Sequence, residues 1–247
     1  MSKQFLVFQH MPWEGPGEYL IRSAKKFDVS LHIAEVWHRP IPDISSYDGL
    51  IILGGSPNID QEDKYPFLKA EKEAIRRALE LDMSYLGFCL GHQLLADALG
   101  AKVGTNFRHS VGFVEGRLTK SGLEHPLFRG IPGSFPLFKW HSQAVLQPFP
   151  KEVEILATSA DCEVEAISVK GRPHLVGLQF DNQSADYEDV REWLEADRDW
   201  LSSLPQARID PTSILADVRR LEDIMKDQFG TIFRNYMNIV SSISSSR

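Results

Sequence analysis

Cysteine is nearly missing from this chain: Cys89 and Cys162 are the only two in 247 residues. That count supplies no disulfide framework and suits a reducing compartment. Positive charge is also short, with 27 Lys and Arg against 34 Asp and Glu and a formal net charge of −7. Without a basic excess or a basic run for phosphate contacts, the charge balance argues against a dedicated nucleic-acid or anionic-membrane binder. No apolar run approaches the ~18 residues of a membrane span. The opening "MSKQFLVFQH" has neither the apolar core nor the small-residue cleavage pattern of a secretory signal. The expectation is a cytoplasmic protein with no nucleic acid and no membrane among its partners. Repeats and low-complexity linkers are absent as well.

What is present is ordinary for a globular chain: 43% hydrophobic and 25% charged residues. The length fits one large domain or two small ones. Short apolar runs at 5–8, 31–36, 49–53, 84–88 and 174–180 read as strands bounded by polar or glycine signals. Near-continuous runs such as 50–53 suit the buried interior of a parallel sheet. Between them, residues 66–82 and 91–99 carry apolar side chains at helical steps, the second ending at Gly100. This alternation predicts an α/β fold with a parallel-rich sheet and helices on both faces. Residues 111–170, richer in short strands and turns, predict an antiparallel extension.

The tail differs in character. Ile214, Val218, Leu221, Met225, Ile232, Tyr236 and Ile239 form one helical stripe, opened by Asp210 as cap and Pro211 as first residue. Gly230 marks a place where the helix could break, and "SSISSSR" reads as a frayed end. The expected division is a domain over 1–205 and a C-terminal helical extension over 206–247. The helix either docks on the domain, the favoured reading, or makes a dimer or partner contact.

The chemistry centres on "SYLGFCLGHQLLADALG" (84–100), where Cys89 stands between two glycines as a strand becomes a helix. Gly-x-Cys-x-Gly in that setting is a nucleophile-elbow pattern. The helix N-terminus behind the sulfur favours thiolate. A buried structural cysteine is the bland alternative. One strand earlier, "DGLIILGGSPN" ends in Gly54–Gly55, and paired glycines at a strand end can turn backbone N–H groups toward an oxyanion. His92 reads as a packing residue at the helix start. His141 and Trp140 read equally as packing residues at a strand end or as pocket residues.

Together "LGGSPN", "GFCLGHQLLADALGAKVG" and "FKWHSQAVLQPFP" resemble the class I (triad) glutamine amidotransferases, especially stand-alone members similar to the amidotransferase domain of GMP synthase. The likeness runs from about residue 3 to about 200. It implies a flavodoxin-like fold and hydrolysis of glutamine or a γ-glutamyl amide through a γ-glutamyl thioester on Cys89. It implies oxyanion donors at Gly55 and Leu90, and a substrate side formed by Gly54, Gln93, His141 and Gln143. Gln143 stands where the family often has an acidic residue. No metal and no organic cofactor is implied. The implied partners are glutamine or a γ-glutamyl small molecule and an ammonia-accepting enzyme; a homodimer is a further possibility. The chain reads as stand-alone, since no synthetase domain follows residue 205.

The resemblance breaks at "GLQFDNQ". Where the family pattern is close to Gly-x-Gln-Phe-His-Pro-Glu, Asp181 takes the histidine position, Asn182 the proline position and Gln183 the glutamate position. An ordinary aspartate, titrating near ~4, is a weak proton donor to a leaving amine at neutral pH. Its charge would also raise the thiol pKa. Weak or absent turnover is therefore expected. Three alternatives follow: a degenerate amidotransferase that still binds its ligand, a substitute base, or different cysteine chemistry. His141 is the first candidate base and His174 a weaker one. A non-catalytic binding or regulatory module is the alternative function.

Overall fold

The computed structural model describes residues 2–204 and 210–244. The expected boundary at 205/206 and the last three residues of the serine-rich end lie outside those described. The chain runs β1 (Lys3–Gln9), α1 (Glu18–Lys26), β2 (Val29–Glu35), β3 (Gly49–Ile52), α2 (Phe67–Glu80), β4 (Ser84–Phe88) and α3 (Leu90–Ala98). It continues through β5 (Lys102–Leu118), α4 (Lys120–Glu124), β6 (Ser134–Leu146), β7 (Val153–Ser159), β8 (Ala166–Val169) and β9 (Arg172–Leu178). Helices α5 (Tyr187–Ala196), α6 (Arg198–Ser203) and α7 (Pro211–Ser244) follow.

Among the described residues all strands join one nine-stranded sheet in the order β2-β1-β3-β4-β9-β8-β7-β5-β6. The first five in that order pair in parallel, and the other four are antiparallel. The expected extension thus exists, but β5 and β6 are long strands rather than short ones, paired across a register shift between Thr105 and Ser110. The buried apolar runs are explained by two cores. In β1, Phe5 and Val7 join the cluster formed with α1, α5 and α7, while Leu6 and Phe8 join the cluster formed with α2 and α3. Each face of a parallel strand needs its own apolar partner, so neither set of alternating side chains can be polar.

Helix α7 covers one of these faces. All seven stripe residues are buried, and Phe229 and Phe233, which the stripe omits, are buried with them. Phe229 lies 6.1 Å from the ring of Phe88, and Tyr236 lies 6.4 Å from Phe5. Asp210 caps the helix by accepting from the Thr212 N–H at 3.0 Å. The helix passes through Gly230 without a break, because packing on both sides outweighs the ~1 kcal/mol propensity cost of one glycine. Burying large apolar side chains at roughly 1.5–3 kcal/mol each makes this helix part of the core. Among the described residues no helix is long and apolar enough to cross a membrane.

Candidate active site

Cys89 follows the last residue of β4 and precedes α3, with φ 43° and ψ −99°. A non-glycine residue at positive φ is strained, and such strain concentrates at functional turns. The flanking glycines are there because backbone crosses backbone. A Cβ on Gly87 would meet the Gly91 carbonyl carbon at 2.5 Å, and one on Gly91 would meet Ile52 Cβ at 2.8 Å. The Gly91 carbonyl also accepts from the Tyr85 hydroxyl at 2.8 Å. Cys89 N–H donates to Leu178 O at 2.8 Å, tying the elbow to the end of β9.

At the end of β9 the chain turns so that Asp181 faces the sulfur. Its backbone N–H donates to Phe138 O at 2.9 Å, and Asn182 Oδ1 accepts from Phe138 N–H at 2.8 Å. These two bonds pin the turn to β6. Gln183 Nε2 donates to Asp181 Oδ1 at 3.2 Å. A Cβ on Gly54 would stand 3.1 Å from Asp181 Oδ1 and 3.5 Å from Cys89 Cβ, so the glycine leaves room for the carboxyl–thiol pair. Asp181 and Gln183, two of the three positions that depart from the family pattern, are thus joined to each other, and Asp181 meets the Cys89 thiol.

Burial reverses two expectations drawn from ordinary side chains. Asp181 is 1% exposed, and loss of solvent pushes its carboxyl up to about 7, with Gln183, Lys139 and Cys89 pulling the other way. The expectation of a carboxyl near 4 fails because desolvation outweighs those favourable contacts. At Cys89, 6% exposed, burial pushes the thiol well above its usual range, and the charges of Asp181 and Glu14 add to the shift. The dipole of α3 therefore does not leave a resting thiolate. The resting site holds a thiol beside a carboxyl that titrates near neutrality.

A pocket of about 320 Å³ reaches the sulfur, and Gly55, Gln93, His141 and Gln143 are among its lining. Gln93 Nε2 donates to Gln143 O at 3.1 Å and to Gln179 Oε1 at 3.2 Å; Gln179 Nε2 lies 3.6 Å from the sulfur. The Leu90 N–H also approaches the sulfur. His141 is on the pocket wall, but its Nδ1–H donates to Gln143 O at 2.8 Å. A ring nitrogen of His141, Cys162 Sγ and a Glu165 oxygen lie within 4.8 Å of one another. That donor set resembles a metal site, yet Glu165 is ion-paired with the fully buried Lys139, whose ammonium already neutralises it. His92 is buried against the Gly177 backbone and held down to about 3 by burial. His174, at the opposite end of β9, bonds Asp82 at 2.9 Å.

Several site residues escaped the sequence reading. His10, one residue past β1, is fully buried and bridges Gly54 O at 2.7 Å and Glu71 Oε1 at 2.8 Å. A carbonyl and a carboxylate both accept, so both ring nitrogens donate. Burial lowers the pKa of His10, but the Glu71 charge and hydrogen bond outweigh it and leave a net rise. This imidazolium anchors the Gly54–Gly55 turn from behind, where a Cβ on Gly55 would meet His10 Cβ at 2.9 Å. Glu14 accepts from the Ser56 N–H at 3.1 Å and is pushed up to about 8 by burial, then by Asp197. The only signal for His10 and Glu14 was position: polar residues just past the carboxyl end of a parallel strand, where α/β ligand sites form.

Residues 17–181 match the model of the family described as glutamine amidotransferase class-I. The A subunit of the glutamine-hydrolyzing GMP synthase of Methanocaldococcus jannaschii is 34% identical over 176 residues, 70% of this chain and 86% of that one. The protein of the same name from Methanothermobacter thermautotrophicus is 34% identical over 143 residues, 57% of this chain and 69% of that one. Among solved structures, a glutamine amidotransferase from Thermotoga maritima superposes with a TM-score of 0.84 at 25% identity, covering 96% of this chain and 98% of that one. A glutamine amido transferase from Methylobacillus flagellatus shares the fold, with a TM-score of 0.79 at 21% identity and coverage of 97% and 96%. The elbow, the glycine turn and a family match across most of the chain agree: the protein belongs to the class I glutamine amidotransferase family.

Proposed function

We propose that the protein hydrolyses a γ-glutamyl amide, glutamine or a substituted relative, through a γ-glutamyl thioester on Cys89, with Asp181 carrying the proton that the family's histidine carries. One observation supports this above the others: a buried carboxyl titrating near neutrality is held against the sulfur by Gln183 and the Gly54 turn. A proton carrier works best when its pKa lies near the working pH, and about 7 meets that condition where 4 does not.

In the acylation step Cys89 Sγ bonds to the amide carbon as its proton moves to ionised Asp181. The oxyanion takes hydrogen bonds from the Gly55 and Leu90 N–H groups. Collapse breaks the C–N bond, and protonated Asp181 gives its proton to the departing ammonia or amine. Water then attacks the thioester, Asp181 takes a proton from it, and the C–S bond breaks as the proton returns to sulfur. A thiol pKa well above that of its base makes the first step uphill, so turnover is slow relative to a thiolate enzyme. Two relatives are named as subunits of a glutamine-hydrolyzing synthase. By that likeness, released ammonia would pass to a partner enzyme.

A chloroketone analogue of glutamine tests the pocket. Mass spectrometry is expected to find the adduct on Cys89, with L-glutamine slowing its formation. Labelling and protection without ammonia release would support the non-catalytic binding module instead. Absence of labelling at every pH would overturn both readings.

A further inference from the structure

One side of the pocket has a chemistry of its own. Glu14, Asp197 and Trp200 line it together with Trp140, and the first three fall outside residues 17–181. Trp140 Nε1 donates to Asp197 Oδ2 at 2.7 Å, and the Trp140 and Trp200 rings lie 6.2 Å apart. Glu14 lies close enough to Cys89 for its charge to raise the thiol pKa, which puts this carboxyl near the reacting centre. Lys64, the one Lys or Arg of this lining among the described residues, sits 5.0 Å over the Tyr65 ring.

Two carboxyls and two indoles around one cavity are the groups from which a cation receptor is built. Indole faces attract ammonium groups, and carboxylates supply the counter-charge and hydrogen-bond acceptors. Burial, then repulsion from Asp197, pushes Glu14 up to about 8, and burial raises Asp197, so a cation arriving beside them would favour the ionised form of both carboxyls. By the family likeness, Gln93 and Gln143 serve the amino-acid end of the substrate. The carboxyl and indole wall is then left for the other side of the scissile bond.

We propose that this wall recognises a positively charged leaving group, so that the substrate class is the γ-glutamyl amide of an amine carrying a second, protonated amino group. This inference rests on the γ-glutamyl hydrolase reading above. Bond changes are those already given: the C–N bond breaks, and the diamine leaves after taking its proton from Asp181.

The test compares two amides of equal length, γ-glutamyl-1,4-diaminobutane and γ-glutamyl-n-pentylamine, by calorimetric titration of the full-length Cys89→Ala variant. The charged amide is expected to bind about tenfold or more tightly. Asp197→Asn, which keeps an acceptor for Trp140, and Trp200→Leu, which keeps apolar bulk, should each shrink that ratio several-fold. Binding of L-glutamine, which lacks the second ammonium, should fall less than binding of the charged amide. Equal affinity for the two amides, or a ratio untouched by both substitutions in folded protein, would overturn the inference. Cys89 labelling that glutamine still blocks would then leave the hydrolase reading standing. If neither amide nor glutamine binds and Cys89 is not labelled, both readings fall.

Discussion

Asp181→Asn is expected to cut γ-glutamyl amide hydrolysis by about 10²–10⁴-fold at pH 7.5, the usual contribution of a positioned proton carrier. The amide preserves shape and still meets Gln183, but it cannot accept the thiol proton or return it to the amine. The same substitution should raise stability at neutral and alkaline pH. The folded carboxyl titrates at about 7, above its ordinary value of 3.8. Folding therefore favours the protonated form, and that advantage is lost as pH rises from about 4 through about 7. An asparagine in its place has no such titration. The variant should match the parent near pH 4 and exceed it by a few kcal/mol, several degrees in Tm, at pH 8. Thermal melts of both proteins at the two pH values check this. Loss of activity with that crossover separates a proton carrier from a residue that merely holds the turn, whose replacement would destabilise at both.

The second large effect runs the other way. Asp181→His with Gln183→Glu is expected to raise glutaminase activity about 10²-fold or more. It would give Cys89 an imidazole base and give that imidazole an acid to orient it and stabilise its charge. The geometry for the pair exists: both side chains are buried, the turn is pinned by two bonds to Phe138, and Gly54 leaves space at position 181. The single substitution Asp181→His should recover less, because Gln183 cannot balance an imidazolium. Ammonia release from L-glutamine, measured on variants whose melts show cooperative unfolding, gives the comparison. A folded double variant no faster than the parent would mean that the pocket no longer presents a γ-glutamyl group to the sulfur.

Much of the architecture could be read from sequence because its cause is local. The runs at 5–8, 49–53 and 84–88 are apolar on both faces, and only a strand with a core on each side requires that. The elbow was equally legible, since the glycines flanking Cys89, each two residues away, record a backbone crossing that no side chain permits. The site electrostatics were not. Whether Asp181 titrates near 4 or near 7 depends on how completely distant segments bury it, and no run of residues carries that information. His10 and Glu71 are 61 positions apart and meet behind the glycine turn. Asp197 and Trp200 reach the pocket from the chain past the last strand, where the sequence offered only ordinary charged and aromatic residues. Phe229 and Phe233 were missed for a simpler reason: they widen the α7 stripe beyond the seven positions that fit a single line.

The central claim is that Asp181 is the base for Cys89, and the pH profile of kcat/KM for ammonia release tests it most directly. The expected profile rises from acid pH with an inflection near 7. The inflection should persist in Glu14→Gln and disappear in Asp181→Asn. A profile that climbs only above pH 9, following the free thiol, would contradict the claim. So would an inflection near 7 that survives Asp181→Asn, or no ammonia release at any pH.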